Sequence, residues 1–332
     1  MMLSPMVLGL VAAEALVAWY AVYAAITGTA ILIRWEPGSP KEDQLKRERR
    51  TALVSSILGH LMFLEILLLG VFVAIADELH SLLTGAMCAA GTLNASGLGY
   101  PALLVMLAGS VLSGLWLVLN RLDARAPDFP LIRVKYGVLP LLALVFVAQA
   151  VLVIRFLAEL DPEFSTSCCA SVFDSDRGGF GSEVAHLSAG LIQPLFWGGL
   201  VVTVLSGVLS PTRRGLRWLF TGLSALMLPV ALAGVIGFIS LAYYQLPTHH
   251  CPFCLLHAEY GRVGYLLYTS LLVATTAGMA TGMVSWCGRS NSLQPRIPAV
   301  LRSLRRWSLA GYATFVGAAA WPFITSGFRL SY

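Results

Sequence analysis

Two cysteines three positions apart are the strongest chemical signal in the sequence. Cys251 and Cys254 enclose Pro252 and Phe253 in a C-x-x-C motif. Two thiols at this spacing close a small disulfide ring and reopen it by exchange. Pro252 suits the first turn of a helix, and the partial positive charge of a helix N-terminus favours a thiolate. We therefore expect a redox-active pair at the start of a membrane helix. An inert disulfide, or a paired thiol packed as a small hydrophobe, stays open.

Three histidines lie close to this motif in the chain. His249 and His250 directly precede it, and His257 follows Cys254 by three residues. Side chains three apart share one face of a helix, so His257 is predicted to accept the proton that a thiol releases. The two preceding histidines add positive charge or relay protons near neutral pH.

The remaining cysteines are Cys88, Cys168, Cys169 and Cys287. Neighbouring cysteines rarely bond to each other because the ring is strained, so Cys168 and Cys169 are expected to bond elsewhere or to bind a soft metal together. The segment around them is rich in Ser, Gly and Asp, which predicts a mobile loop. Such a loop can carry a disulfide between an external partner and a fixed C-x-x-C. Cys287 is predicted to lie on the reducing side of the membrane.

The composition requires a membrane around these elements. The chain has 332 residues, of which 57% are hydrophobic and 12% charged, against about 45–50% and 25% in soluble domains. These values also exclude disorder, a coiled coil, collagen and a small disulfide scaffold. The basic residues lie in short loops rather than on one folded face, so the expected partner is membrane lipid and not nucleic acid.

Eight apolar runs are long enough to cross a bilayer, which needs about 20 residues per helix. We predict an all-α membrane protein, an eight-transmembrane-helix bundle that forms a single polytopic membrane domain over residues 1–332. Two external loops, at 77–100 and 159–183, carry cysteines. The runs are Pro5–Ile33, Thr51–Ala76, Pro101–Leu119, Tyr136–Leu157, Val184–Leu209, Trp218–Tyr244, Phe253–Trp286 and Trp307–Ser326.

The basic residues predict the orientation of the bundle. Cytoplasmic loops carry an excess of Lys and Arg, and 18 of the 22 basic residues fall in alternate loops. We therefore expect both termini on the external side, together with the cysteine-bearing loops. The exceptions are Arg155, Arg177, Arg262 and Arg329.

The stretch from Cys251 to Arg262, CPFCLLHAEYGR, resembles the start of the redox helix of DsbB and the vitamin K epoxide reductase family. The resemblance implies a membrane thiol–disulfide oxidoreductase in which Cys251 and Cys254 pass electrons to a quinone. It also implies a bacterial inner membrane, with the cysteine-rich face toward the periplasm. Arg262 is the nearest match to the family's quinone-side arginine, although it lies farther along the chain.

The same resemblance implies a second cysteine pair that exchanges with an external thioredoxin-like or other thiol protein. Cys168 or Cys169, together with Cys88, are the candidates. The family uses a core of four helices and a spaced pair of loop cysteines, and this chain departs from both features.

Ionisable residues inside predicted spans are functional candidates because they are costly in a bilayer. Glu14, His60 and Glu65 suit a proton path or a quinone pocket, or else interhelical hydrogen bonds. Glu259 and Arg262 lie three residues apart. They are predicted either to contact the cofactor or to pair with each other.

Two other functions remain open. In the first, the chain binds, delivers or transports a soft metal of copper or zinc type at its external face. In the second, it is a non-catalytic membrane subunit with structural disulfides. The metal ligands would come from Cys168, Cys169, Cys251, Cys254, His249 and His250.

Overall fold

The protein is built from helices. In the computed structural model, residues 4–35, 42–126, 128–161, 189–211, 213–247, 249–287 and 292–326 are described, and no strand occurs among them. Seven helices are long and apolar enough to cross a membrane. This finding confirms the all-α class and indicates a multi-pass membrane protein.

The long helices overlap the predicted apolar runs, and the first of them has the predicted bounds, whereas those predicted to begin at Thr51, Phe253 and Trp307 begin at Glu42, Val263 and Ile297. We number them in chain order. They are α1 (Pro5–Ile33), α2 (Glu42–Leu79), α3 (Ala89–Asn94), α4 (Gly99–Asp123), α5 (Ile132–Gly137), α6 (Leu139–Glu159), α7 (Ala189–Leu209), α8 (Arg214–Gly234), α9 (Ser240–Tyr244), α10 (Val263–Cys287) and α11 (Ile297–Thr325).

The last long helix, α11, is not one of the seven candidate spans. It has 29 residues, but its first part carries Arg302, Arg305 and Arg306. The seven candidates are α1, α2 with the short turn after it, α4, α5 joined to α6, α7, α8 through α9, and α10. The count of eight spans and the external position of both termini stay predictions.

The first of two compact units consists of Met1–Ala76, Ala95–Asp161 and Cys287–Pro298. Within it, α6 packs against both α1 and α4. Lys135 is buried and binds Asp123 with an Nζ–Oδ2 distance of 2.6 Å. Asp123 also accepts the Leu131 backbone N–H at 2.9 Å. Burial of a charged pair requires this degree of pairing, because each ion alone would lose its hydration without compensation.

The second unit consists of Asp77–Asn94, Pro162–Trp286 and Ala299–Tyr332. Phe196, Phe238 and Phe315 are fully buried in its apolar core. Gly278 of α10 allows a close helix approach, since a Cβ atom there would lie 2.1 Å from the Ser224 hydroxyl of α8. Small residues at such crossings are how membrane helices gain contact area.

The prediction that α10 starts at Phe253 is wrong. Two single 3₁₀ turns, Cys254–Leu256 and Ala258–Tyr260, come first. Gly261 and Arg262 then adopt left-handed backbone conformations, with φ of 65° and 53°. L-residues cannot continue a right-handed helix through that conformation, so α10 begins at Val263. The thiols therefore do not lie at a helix N-terminus, and the dipole argument for a stabilised thiolate does not apply.

Candidate thiol site

Three cysteine sulfurs meet in the second unit. The Sγ atoms of Cys88, Cys251 and Cys254 all lie within 4.8 Å of one another. The distance from Cys88 to Cys251 is 3.4 Å. Cys88 and Cys251 are fully buried, whereas Cys254 is partly exposed. Cys251 is thus adjacent to two other thiols, and Cys254 is the sulfur that an external molecule reaches most easily.

Asp77 links the two segments that supply the sulfurs. Its Oδ1 atom accepts the backbone N–H of Ala89, next to Cys88, at 3.1 Å. Its two carboxylate oxygens lie 3.0 and 3.1 Å from Nε2 of His257. One carboxylate therefore holds both the turn that carries Cys88 and the histidine that follows the C-x-x-C motif.

The hydroxyls of a buried and a partly buried tyrosine hold the backbone of the motif. Tyr244 donates to the Cys251 carbonyl and Tyr268 donates to the Pro252 carbonyl, each at 2.6 Å. Because the motif is not inside an α-helix, its carbonyls need such donors from elsewhere. Leu255 is fully buried in the apolar core and anchors the first 3₁₀ turn.

The two histidines before the motif have structural contacts of different kinds. His250 donates from Nδ1 to the Ile236 carbonyl at 3.0 Å. Ile236 lies in a five-residue π-helical segment, Val235–Ile239, which joins α8 to α9. The ring of His249 packs edge-on against Tyr244, and its buried Nε2 has no hydrogen-bond partner among the described residues. Within the described part of the chain, neither histidine belongs to the cluster of sulfurs.

His257 has the electrostatic environment of a proton acceptor. Burial lowers its pKa, but the hydrogen bond and the charge of Asp77, with smaller contributions from the Cys254 and Cys88 thiolates, leave the pKa above its ordinary value. The raised pKa makes His257 a stronger proton acceptor than a free imidazole. A positive charge at this place favours a thiolate over a thiol.

The other predicted site residues contribute no atom to this cluster among the described residues, or lie outside the described residues. Cys168 and Cys169 lie outside the described residues. Glu259 and Arg262 are exposed, on either side of the left-handed Gly261. Cys287 is buried at the end of α10 and belongs to the first unit.

Sequence reasoning missed Asp77, Tyr244 and Tyr268 as parts of the site. Asp77 was visible as an acidic residue at the end of an apolar run, in the same loop as Cys88. The tyrosines flank the C-x-x-C motif in the chain, and a buried tyrosine needs a hydrogen-bond partner. Neither signal identifies which carbonyl or imidazole each residue would contact.

Comparison with known protein families, characterised proteins and solved structures finds no match to this chain.

Replacement of Asp77 with asparagine should slow alkylation of Cys254 at neutral pH by roughly three- to tenfold. Without the carboxylate, His257 loses its proton at lower pH and no longer favours the thiolate. The pair stabilises the fold by about 1 kcal/mol. Because the folded pKa is raised, this contribution is present below pH about 6.5 and lost as the pH rises through the folded value. Rates of Cys254 alkylation by iodoacetamide, measured against pH in the wild type and in Asp77→Asn, test the predicted slowing.

The control for Asp77→Asn is Glu78→Gln, which removes the neighbouring carboxylate. Glu78 is exposed, and its backbone carbonyl accepts a hydrogen bond from Ser81. An equal loss of rate in both variants would contradict a specific role for Asp77.

Proposed function

We propose that the protein is a multi-pass membrane thiol–disulfide oxidoreductase whose redox centre is formed by Cys88, Cys251 and Cys254. The observation that carries the proposal is the convergence of the three sulfurs within 4.8 Å of one another, with those of Cys88 and Cys251 3.4 Å apart. Thiol–disulfide exchange needs an attacking sulfur next to a disulfide sulfur, and this arrangement supplies one. The adjacent Asp77–His257 pair supports the proposal because it provides a proton acceptor.

The reducing half of the cycle starts from a Cys251–Cys254 disulfide. A thiolate of an external dithiol protein attacks the more accessible sulfur, that of Cys254, and Cys251 leaves as a thiolate. The second partner thiol then attacks the mixed disulfide and releases Cys254. The partner leaves oxidised, and the pair has gained two electrons and two protons, one of which passes through His257.

The buried Cys88 gives this pair a second route of exchange. Its thiolate attacks the Cys251 sulfur of the Cys251–Cys254 disulfide, forms a Cys88–Cys251 disulfide and releases Cys254 as a thiolate. No electrons are gained or lost in this step. The step moves the disulfide into the buried part of the site and leaves the more accessible Cys254 as a thiolate.

The oxidising half requires a two-electron acceptor, and we propose a membrane quinone. A quinone bound here would take up the two electrons and two protons of the Cys251–Cys254 dithiol and become a quinol, and the disulfide would form again. The residues that follow the C-x-x-C motif in the chain fit such an acceptor in their chemistry. The exposed Arg262 guanidinium is a hydrogen-bond donor, and the exposed side chains of Tyr265 and Leu266 are apolar surface near it in the chain.

The predicted orientation completes the proposal. We place the cluster at the external, oxidising face of a bacterial inner membrane, with α11 as the eighth span and both termini outside. The charge of the loops supports this orientation. Contact with the partner protein by Cys168 and Cys169 stays a prediction, as do the quinone-side roles of Glu259 and Arg262.

A soft-metal site is the second candidate function, and the spacing of the sulfurs favours it. Three thiolates bound to one Zn²⁺ or Cu(I) at about 2.3 Å would lie roughly 3.8–4.0 Å apart. The observed sulfurs lie within 4.8 Å of one another. A carboxylate hydrogen-bonded to a nearby histidine also resembles the outer shell of many metal sites.

The redox states of the cysteines in native membranes test the proposed function. Thiols are trapped with an alkylating mass tag, with and without prior reduction, and mapped by peptide mass spectrometry. We expect a Cys251–Cys254 or Cys88–Cys251 disulfide that opens when the quinone pool is reduced. Cys287, a buried cysteine that belongs to the chain's other unit, is the internal control and should stay reduced in both conditions.

Two results would contradict redox activity. A disulfide that does not respond to the quinone pool or to a dithiol protein would be a structural bridge. Thiols that resist alkylation until a chelator is added would establish the metal site instead.

A further inference from the structure

Two buried glutamates in the first unit share one amide. Gln149 of α6 donates from Nε2 to Glu14 Oε2 of α1 at 2.8 Å and to Glu65 Oε1 of α2 at 2.6 Å. The exposed fractions of the three residues are 1% or less. The sequence left open a proton path, a quinone pocket or interhelical hydrogen bonds for the glutamates, and the hydrogen bonds are present.

The cluster has more acceptors than donors. Both hydrogens of the Gln149 amide are used by the two carboxyl groups. Glu14 Oε1, Glu65 Oε2 and Gln149 Oε1 are buried and have no hydrogen-bond partner among the described residues. Three buried oxygens without a donor are costly. The Gln149 oxygen needs a hydrogen-bond donor whatever the protonation state of the two carboxyl groups. It is therefore a separate indication that a donor is needed at this place.

The backbone of α4 closes the cluster on another side. A Cβ atom at Gly109 would lie 2.6 Å from Gln149 Oε1 and 3.4 Å from Glu65 Oε1. Only a glycine gives the amide this room. The next residue, Ser110, is also buried, and its hydroxyl has no partner among the described residues.

We propose that Glu14 and Glu65 form a proton-binding site that holds at least one exchangeable proton beside the amide of Gln149. A proton on either carboxyl group converts an acceptor into the missing donor. It also removes one of two like charges that an apolar interior cannot accommodate together. A hard metal cation takes about six oxygen ligands, whereas the described residues supply three unpaired oxygens to the cluster.

Asp123 and His60, two other titratable groups of these helices, have hydrogen-bond partners elsewhere. Asp123 is occupied by Lys135 and the Leu131 N–H. His60 is exposed and bonds from Nδ1 to the Ser56 carbonyl of its own helix. Two tyrosines of α1, Tyr20 and Tyr23, are further titratable groups of these helices. The remaining charged residues lie nearer the helix ends: Glu42, Asp43, Lys46, Arg47, Glu48, Arg49, Arg50, Asp77, Glu78, Arg121, Arg155 and Glu159.

Such a site is a place where a membrane protein takes up and releases protons. The inference does not rest on the redox function, because it concerns residues of the first unit alone. Its test can therefore fail while the thiol chemistry holds, and the reverse is also true.

Infrared spectroscopy of the full chain in lipid vesicles tests the proposal without a reagent that must reach the site. A protonated carboxyl group has a C=O stretch that an ionised carboxylate lacks. We expect this band at neutral pH, and we expect Glu65→Gln or Glu14→Gln to remove or shift it. The protonated fraction should fall roughly tenfold for each pH unit above the apparent pKa of the pair. Glu78→Gln, at an exposed position, should leave the band unchanged.

A second variant covers the case in which a glutamine variant fails to fold. Gly109→Ala keeps both carboxyl groups but displaces the Gln149 amide, so the band should shift and titrate at a different pH. Lack of a protonated band at neutral pH in the folded wild type would overturn the proposal. Loss of the band on addition of Na⁺ or Ca²⁺ would also overturn it, since the site would then be a cation site.

Discussion

Replacement of Cys251 with serine is expected to abolish disulfide exchange, whereas replacement of Cys88 should leave most of it. Cys251 is 3.4 Å from Cys88 and is the partner of Cys254 in the C-x-x-C motif. Without Cys251, neither proposed disulfide can form. Without Cys88, the Cys251–Cys254 pair remains. We expect Cys251→Ser to lower turnover of an external dithiol protein at least about a hundredfold more than Cys88→Ser.

The matched control for both variants is Cys287→Ser, which also replaces a buried cysteine but lies outside the cluster. It should leave turnover unchanged. Gel filtration of each variant in detergent separates lost chemistry from lost folding. Equal losses of turnover in Cys88→Ser and Cys251→Ser would contradict the exchange scheme. That result is expected of a metal site, in which each replacement removes one ligand.

Replacement of Lys135 with methionine should destabilise the first unit by about 3–5 kcal/mol. The Lys135 ammonium is almost completely buried and binds Asp123 at 2.6 Å. Its removal leaves a buried carboxylate that keeps only one of these two partners, the Leu131 N–H. Thermal unfolding in detergent, followed by the loss of helical circular dichroism, measures the change.

The double variant Asp123→Asn with Lys135→Met separates charge from packing. An asparagine still accepts the Leu131 N–H but carries no charge, so most of the lost stability should return. Lys46→Met serves as the control, because Lys46 forms an exposed pair with Glu42 that contributes little. A double variant as unstable as Lys135→Met alone would show that the contacts of the lysine side chain, and not its charge pairing with Asp123, provide the stability.

The convergence of the cysteines illustrates why the site was only partly predictable. The C-x-x-C motif is local, so its two thiols could be paired from spacing alone. Cys88 lies 163 residues before Cys251, and no local pattern relates the two positions. The packing of the second unit sets that contact. The link from Asp77 to His257, 180 residues apart, has the same origin.

The start of α10 shows where a local rule failed. Proline one residue after Cys251 and a long apolar run both favoured a helix from Phe253. The tertiary fold instead buries Phe253 and Leu255 through a 3₁₀ turn and binds the motif's carbonyls with Tyr244 and Tyr268. These contacts stabilise a non-helical backbone that propensity alone would not select.

The sequence by itself determined the membrane class and the path of the helices, because apolar length and the scarcity of charge act through the bilayer and need no knowledge of neighbours. Pro5–Ile33 was predicted to the residue for this reason. Only the tertiary structure decided which polar groups meet inside the bundles. Gln149 reaches Glu14 and Glu65 on two other helices, and that meeting depends on helix rotation and depth. These are set by side-chain packing between segments distant in the chain, which periodicity within one segment does not encode.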